Sequence, residues 1–223
     1  MRQNPVNGKI QSPYLWRAID ERIIREHPVV SHNSWTNLNY HHRDIKTRIK
    51  THYLYQQNGH CVYCRLPINF QGWDEPIEHI IHKEFKYIYM YTPVNLAISC
   101  KHCNTKKSRK HALAKPYRNL PVFPAQSIHY RIIHPHFDNF EDYIVLEDDL
   151  FYRAIRRDKG LLHIMFFSLN QEVILMKRAR DKKISQIDYY KRLIHKISDN
   201  STHRWEKRRY RQVANSIIDL RQL

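Results

Sequence analysis

Apolar residues recur at helical spacing in two stretches near the start of the chain. In 12–27, SPYLWRAIDERIIREH, the positions Leu15, Ile19, Ile23 and Ile24 predict a helix, with Ser12 as its N-cap and Pro13 in its first turn. From about Tyr40 to Gln57 the residues Ile45, Ile49 and Tyr53 mark one face of a second helix, which NGH breaks just before Cys61. The pattern then shortens. PIEHIIH (76–82) reads as a strand after a proline, and VNLAIS (94–99) as a second strand. CKHCNTKKSRKHALA, from Cys100, reads as a helix. Residues 160–180 alternate in a way that fits either strand or short helices, and the tail from Ile184 to Leu223 reads as mostly helical, with Trp205, Val213, Ile217 and Leu220 near helical spacing. The prediction is an α+β chain, mostly helical, in three regions: helices in 1–57, two strands and a helix in 58–118, and a mixed then helical scaffold in 119–223. No internal repeat or low-complexity linker interrupts it.

Charge narrows the class. The formal net charge is +17, which favours an anionic partner: nucleic acid first, a membrane surface second. No run approaches the ~18–20 apolar residues of a membrane span. MRQNPVNGKIQS has no apolar core, which argues against a secretory signal. Between Lys101 and Arg118 there are seven Lys or Arg and no acid, whereas 138–149 carry six acids and no base. HPHFDNFEDY (134–143) reads as a proline-punctuated, acidic loop, either a docking surface for a basic partner or a solvated loop.

All four cysteines lie in two CxxC pairs, Cys61/Cys64 and Cys100/Cys103. Thiolates are soft ligands, and two such knuckles supply a closed tetrahedral Zn²⁺ site. The pairing favours a zinc clamp; four packed thiols or disulfides are the alternatives. A metal clamp in turn implies a reducing, cytoplasmic setting. The 35 residues between the knuckles exceed the usual ~15–20 of a zinc ribbon, and the two predicted strands fill the excess. A zinc site closed by four thiolates does no chemistry, so any catalysis falls to the residues between and after the knuckles.

Glu78 and His79 stand together on the first of those strands, and Asn104 directly follows Cys103. A carboxylate and an amide oxygen are hard ligands suited to Mg²⁺ or Mn²⁺. A neutral imidazole beside them can take a proton from water. These are the parts of a metal-assisted phosphodiester hydrolase. Glu78 as a surface salt-bridge acid is the plainer reading. Adjacent strand residues point to opposite faces, so Glu78 and His79 can share a site only where the strand ends, bulges or twists.

In order, CVYC (61–64), EHIIHK (78–83), VNL (94–96) and CKHCNTKK (100–107) resemble the HNH nuclease family, whose core is a ββα-metal fold. By that resemblance the core is zinc-stabilised and His79 is the general base. Glu78 and Asn104 bind the catalytic divalent cation, Asn95 fixes the loop between the strands and orients His79, and Lys107 or Lys106 contacts a phosphate. The family more often has Asp where Glu78 stands. A proline is common where His82 stands, and His82 is open between a supporting group, a metal ligand and a surface residue.

IKTRIKTHYLYQQNGHCVYC, RIIHPHFDNFEDYIVL and KGLLHIMFFSLNQEVILMKRAR are similar to a bacterial subfamily of these nucleases found in Septu-type and retron-associated anti-phage systems. That likeness implies an ABC-type ATPase partner and, in retron systems, a reverse transcriptase with its RNA–DNA product. Candidate nucleic-acid contacts are Lys101, Lys106, Arg109 and Lys110 beside the CxxC helix, and Arg208 and Arg209 in the basic tail. The basic patch does not distinguish DNA from RNA; the resemblance leans to DNA. The alternatives are a decayed zinc-containing binding or adaptor protein and a stand-alone restriction-type nuclease.

Overall fold

The computed structural model describes residues 8–35, 40–68, 77–156 and 158–199, with 204, 207, 208 and 210–212 beyond them. The chain is α+β and divides into two compact units, Met1–Val145 with Ala154–Phe167, and Leu146–Arg153 with Ser168–Leu223.

The first unit opens on α1 (Ala18–Glu26) and α2 (Tyr40–Gln56). α1 is shorter than its apolar spacing predicts. Tyr14 is buried and gives its backbone N–H to the Tyr53 hydroxyl (3.1 Å), which holds the chain before α1 out of helix. The helix instead starts at Arg17, whose N–H is accepted by the buried Asp20 carboxylate (3.3 Å). Leu15 and Ile19, expected on the buried face, are exposed. In α2 the expected stripe holds, and Ile45, Ile49 and Tyr53 are fully buried, with the helix packed on α1 and on the strands that follow. Asn58 (φ 48°) and Gly59 (φ 69°) then turn the chain through the left-handed region and end it.

β1 (Ile77–His79) pairs antiparallel with β2 (Leu96–Ile98), in the register Ile77 to Ile98, Glu78 to Ala97 and His79 to Leu96. The Gln57 side chain extends this sheet like a third strand. It donates to the Ile98 carbonyl (2.8 Å) and accepts the Ile98 N–H (2.8 Å). α3 (Lys101–Lys107) follows β2 and completes ββα. It stops well short of the predicted Ala114 because Ser108 adopts φ 42°, and Leu113 leaves to bridge Tyr130.

A hairpin of β3 (Ile144–Glu147) and β4 (Phe151–Ala154) was not foreseen. Asp148 and Asp149 make its turn at φ 52° and 57°, the left-handed pair that two-residue hairpins need. The HPHFD stretch ahead of it, expected as a docking or solvated loop, is core instead. His134, His136 and Asp138 are buried, and Asp138 is paired with Lys159 (2.5 Å).

The ambiguous 160–180 segment is helical, as α4 (Lys159–Phe167) and α5 (Glu172–Asp181). α6 (Gln186–Ser198) begins under a Ser185 cap that accepts the Asp188 N–H (3.1 Å). The second unit's core joins Leu150, Phe151, Leu175, Ala179, Tyr189, Leu193 and Tyr210. Trp205, Val213, Ile217 and Leu220 lie outside the described residues. Among the described residues no helix is long and apolar enough to cross a membrane.

Candidate active site

The two knuckles come together. At the first, Arg65 turns through φ 57° and returns its N–H to the Cys61 carbonyl (3.0 Å). At the second, Cys100 caps α3 and gives its own N–H to the Cys61 sulfur (3.2 Å). All four sulfurs lie within 4.8 Å of one another, and none is in a disulfide. A tetrahedron with Zn–S bonds of ~2.3 Å has edges of ~3.8 Å. Cys64 and Cys100 sit at 3.8 Å, so the cluster could hold a zinc ion. Without a cation the sulfurs must share protons: hydrogen bonds from Cys103, Cys61 and Cys64 drive the Cys100 thiol far down, while its bond to Cys100 drives Cys103 up. A bound cation would relieve that crowding.

Glu78 and His79 obey strand alternation. Glu78 points to Tyr63 and α3, where its Oε1 meets the Lys107 ammonium (2.6 Å) and accepts the Tyr63 hydroxyl (3.0 Å). Both contacts fall on one oxygen, leaving Oε2 the open one. His79 points to Trp35, whose ring stands edge-on at 4.5 Å. β1 ends at His79. The chain beyond is held by Asn95, which is fully buried. Its Oδ1 accepts the Ile81 N–H (2.7 Å), and its amide donates to the carbonyls of Ile81 (3.3 Å) and Tyr89 (3.1 Å). This ties the end of β1 to the Tyr87–Tyr89 turn. Met90, next in that turn, offers the carbonyl that hydrogen-bonds the His79 ring. Nε2 of His79 is buried with no partner among the described residues. The tautomer that fits this arrangement carries its proton on Nδ1, toward Met90, and its lone pair on Nε2. Burial, then the positive charges of Lys107 and Lys83, push the imidazole down to about 3, so it is neutral near pH 7.

Asn104 is half-buried on α3, three residues before Lys107 and so on the same side of the helix. The open Glu78 oxygen and the Asn104 amide oxygen are hard donors of the kind Mg²⁺ or Mn²⁺ takes, alongside water and phosphate. Lys107 itself is 1% exposed, and its ammonium also donates to the His79 carbonyl (2.6 Å). The phosphate contact expected of Lys107 does not fit this placement: the side chain is spent inside the site, because a buried carboxylate needs a counter-charge. Lys106, its alternative, is half-buried at the end of α3.

Of the remaining basic candidates, Lys101 is exposed, and Arg109 is exposed but bound to Glu84 (2.8 Å). Lys110 leans on Phe166 and donates to its carbonyl (3.1 Å). In the second unit Arg208 is exposed and shares a recess with Arg204, Lys207 and Arg211. Arg209 lies outside the described residues. Three contributors escaped the sequence: Trp35 against His79, Tyr63 on Glu78, and the Met90 carbonyl. Tyr63 had one signal, a hydroxyl inside the first CxxC. The other two act through packing and backbone, which leave no motif.

A model of the HNH endonuclease family matches residues 61–110, a span that takes in both knuckles, Glu78, His79, Asn95, Asn104 and Lys107. No curated protein and no solved structure matches the chain. The family match supports a nuclease-type function for this segment, with nucleic acid as substrate and a divalent metal as cofactor.

Proposed function

We propose that the chain is a metal-dependent endonuclease that hydrolyses phosphodiester bonds, with DNA favoured over RNA. The observation that carries this reading is His79: a buried ring, neutral near pH 7, that meets the Met90 carbonyl and has no partner at Nε2 among the described residues. A water oxygen forms the new bond to phosphorus and gives its proton to Nε2. The ester P–O bond breaks, and the leaving oxygen takes a proton from solvent. Asn95 keeps the imidazole in place by tying the Met90 turn to the end of β1. Glu78 and Asn104 would hold Mg²⁺ or Mn²⁺, which supplies positive charge to the developing phosphorane. Zinc on Cys61, Cys64, Cys100 and Cys103 would be structural. Lys107 neutralises Glu78 until that cation arrives.

The resemblance to Septu-type and retron-associated nucleases adds a role in anti-phage defence beside an ABC-type ATPase, and in the retron case a reverse transcriptase with its RNA–DNA product. A second reading rests on the Glu78–Lys107 pair, since a carboxylate already neutralised could mark a decayed, binding-only core. The test is cleavage of supercoiled plasmid and total RNA by the full chain in Mg²⁺ or Mn²⁺, beside His79→Ala. Cutting that needs the metal and drops by about 10³-fold or more in the variant is expected. No hydrolysis of either polymer, with equal binding by both proteins, would favour the second reading.

A further inference from the structure

A cleft of about 590 Å³ opens in the first unit between the segment that leaves β1 and the segment that leaves α3. The two chain stretches that carry His79 and Asn104 thus run directly into its walls. That volume suits a small-molecule or single-nucleotide ligand. Its lining is cationic: Lys86, Lys115 and Arg118, with the rings of His82 and His111, face one acid, Glu84, which is bound to Arg109 (2.8 Å). Lys86, Lys115 and Arg118 make no ion pair among the described residues. The Nε of Arg118 is buried and has no hydrogen-bond partner there, a donor left without an acceptor. Such a group is costly unless something binds it.

The histidines add direction. His82 Nδ1 accepts the Glu84 N–H (3.2 Å), so the neutral ring carries its proton on Nε2, as a donor. His111 lies flat on Phe85 at 3.8 Å and 13°, forming an aromatic shelf within the lining. Unpaired donors beside an aromatic shelf are the features that bind a phosphate and a base together.

We propose that this cleft seats one nucleotide of the nucleic-acid strand next to the cleaved bond, with its phosphate on Arg118, Lys115 and the His82 Nε2–H and its base on the Phe85–His111 shelf. The proposal rests on the nuclease reading above for the identity of the strand. It also gives His82 a role that the sequence left open.

The test uses the full chain without added divalent metal, so that binding is read apart from cleavage. A fluorescein-labelled 20-nucleotide single strand, as DNA and as RNA, is titrated across a salt series. Lys115→Ala with Arg118→Ala should weaken binding about tenfold and lower the log–log salt slope by about 0.7, as expected for the one phosphate they share on a single strand. Arg118→Lys, which keeps the charge, should recover part of both. His111→Ala should weaken binding about fivefold or more with the slope unchanged. Thermal midpoints equal to wild type keep folding out of the comparison. Unchanged affinity and slope in the double variant would overturn the cleft, even if the wild type cuts in Mn²⁺. Loss of binding in the double variant, with no cutting by any form, would keep the cleft and overturn the nuclease reading. If free AMP depends on these residues and the oligonucleotide does not, the ligand is a mononucleotide and the strand assignment falls.

Discussion

Two carboxylates of the first unit each hold a lysine out of water, and they differ in what else they hold. Asp138 is saturated. It takes Lys159 (2.5 Å), the His134 N–H (2.6 Å), the Tyr143 hydroxyl (3.3 Å) and a short hydrogen bond from Ser127, while Lys159 also reaches the Ser127 carbonyl and hydroxyl (both 2.8 Å). Glu78 takes Lys107 and Tyr63 on one oxygen and has no hydrogen bond to the other among the described residues, and the next residue on β1 is a histidine whose Nε2 has no partner there either. A buried ion pair is stabilising only when its remaining hydrogen-bond capacity is met. The Asp138 pair meets that condition and reads as scaffold. The Glu78 pair does not, and spare capacity in a buried polar group is what a site for a cation and a water requires.

The distinction can be broken or sharpened in steps. The largest effect erases it. Both pairs sit in the unit that holds the cysteine cluster, so if zinc clamps that cluster as proposed, Cys103→Ser or treatment with a zinc chelator should unfold the unit rather than merely slow it. Structural zinc is worth about 10–16 kcal/mol in small zinc domains. Circular dichroism with zinc content measured in parallel checks this; a folded, zinc-free protein would contradict it.

Next come the lysines. Lys159→Met and Lys107→Met each strand a buried carboxylate and should each cost about 3–5 kcal/mol. Millimolar Mn²⁺ should restore stability to the Lys107→Met protein and leave the Lys159→Met protein unchanged, because on the proposed reading only Glu78 would hold a cation. Chemical denaturation with and without Mn²⁺ reads this directly, and equal behaviour of the two variants would collapse the comparison.

A smaller effect comes from the tyrosines. Tyr63→Phe removes one of two partners of Glu78 and should cost about 1.5–3 kcal/mol, as hydrogen bonds to charged groups do. Tyr143→Phe removes the longest of several bonds to Asp138 and should cost less than about 1 kcal/mol.

A probe that needs no substitution is pH, acting on the histidines around the Asp138 pair. Burial lowers the imidazoles of His136 to about 4 and His163 to about 3, and lowers His134 well below its ordinary value. The unfolded chain binds protons at these rings below about 6.5, and the folded chain does not until it nears those lowered values. Stability is therefore full above about 6.5 and falls as pH drops toward 4, by roughly 1.4 kcal/mol per pH unit per ring. Thermal midpoints between pH 7.5 and 4.5 would show the slope, and a flat profile would mean these rings are not buried neutral.

The ligand-bearing parts of the site were legible because each carries a chemical letter at a fixed spacing. Cys61 and Cys64 are two ends of one tight turn, and Cys100, Cys103, Asn104 and Lys107 share one helix, so local geometry relates them whatever the rest of the chain does. The α2 stripe of Ile45, Ile49 and Tyr53 was legible for the same reason. The early end of α3 and the late start of α1 were not. Ser108 enters the left-handed region, and Tyr14 is drawn to Tyr53 across 39 positions, and no local pattern contains that choice.

The acidic stretch shows the limit most plainly. By composition Asp138 is one acid among six, and only the fold separates it from its neighbours by delivering Lys159, Ser127 and the His134 amide to it. Lys107 shows the converse, a lysine whose motif suggests a phosphate and whose surroundings give it a carboxylate.

What the sequence by itself determined is the inventory: four thiols in two CxxC pairs, a carboxylate beside an imidazole, an amide after the last cysteine, and a large positive charge. Those are properties of residue type and local spacing. What only the tertiary structure decided is the surroundings of each group: which nitrogen of His79 and which of Arg118 is buried without a hydrogen-bond partner among the described residues, and which oxygen of Glu78 takes Lys107 and Tyr63. Protonation, burial and hydrogen bonding are set by neighbours distant in the chain, and those neighbours exist only once it has folded.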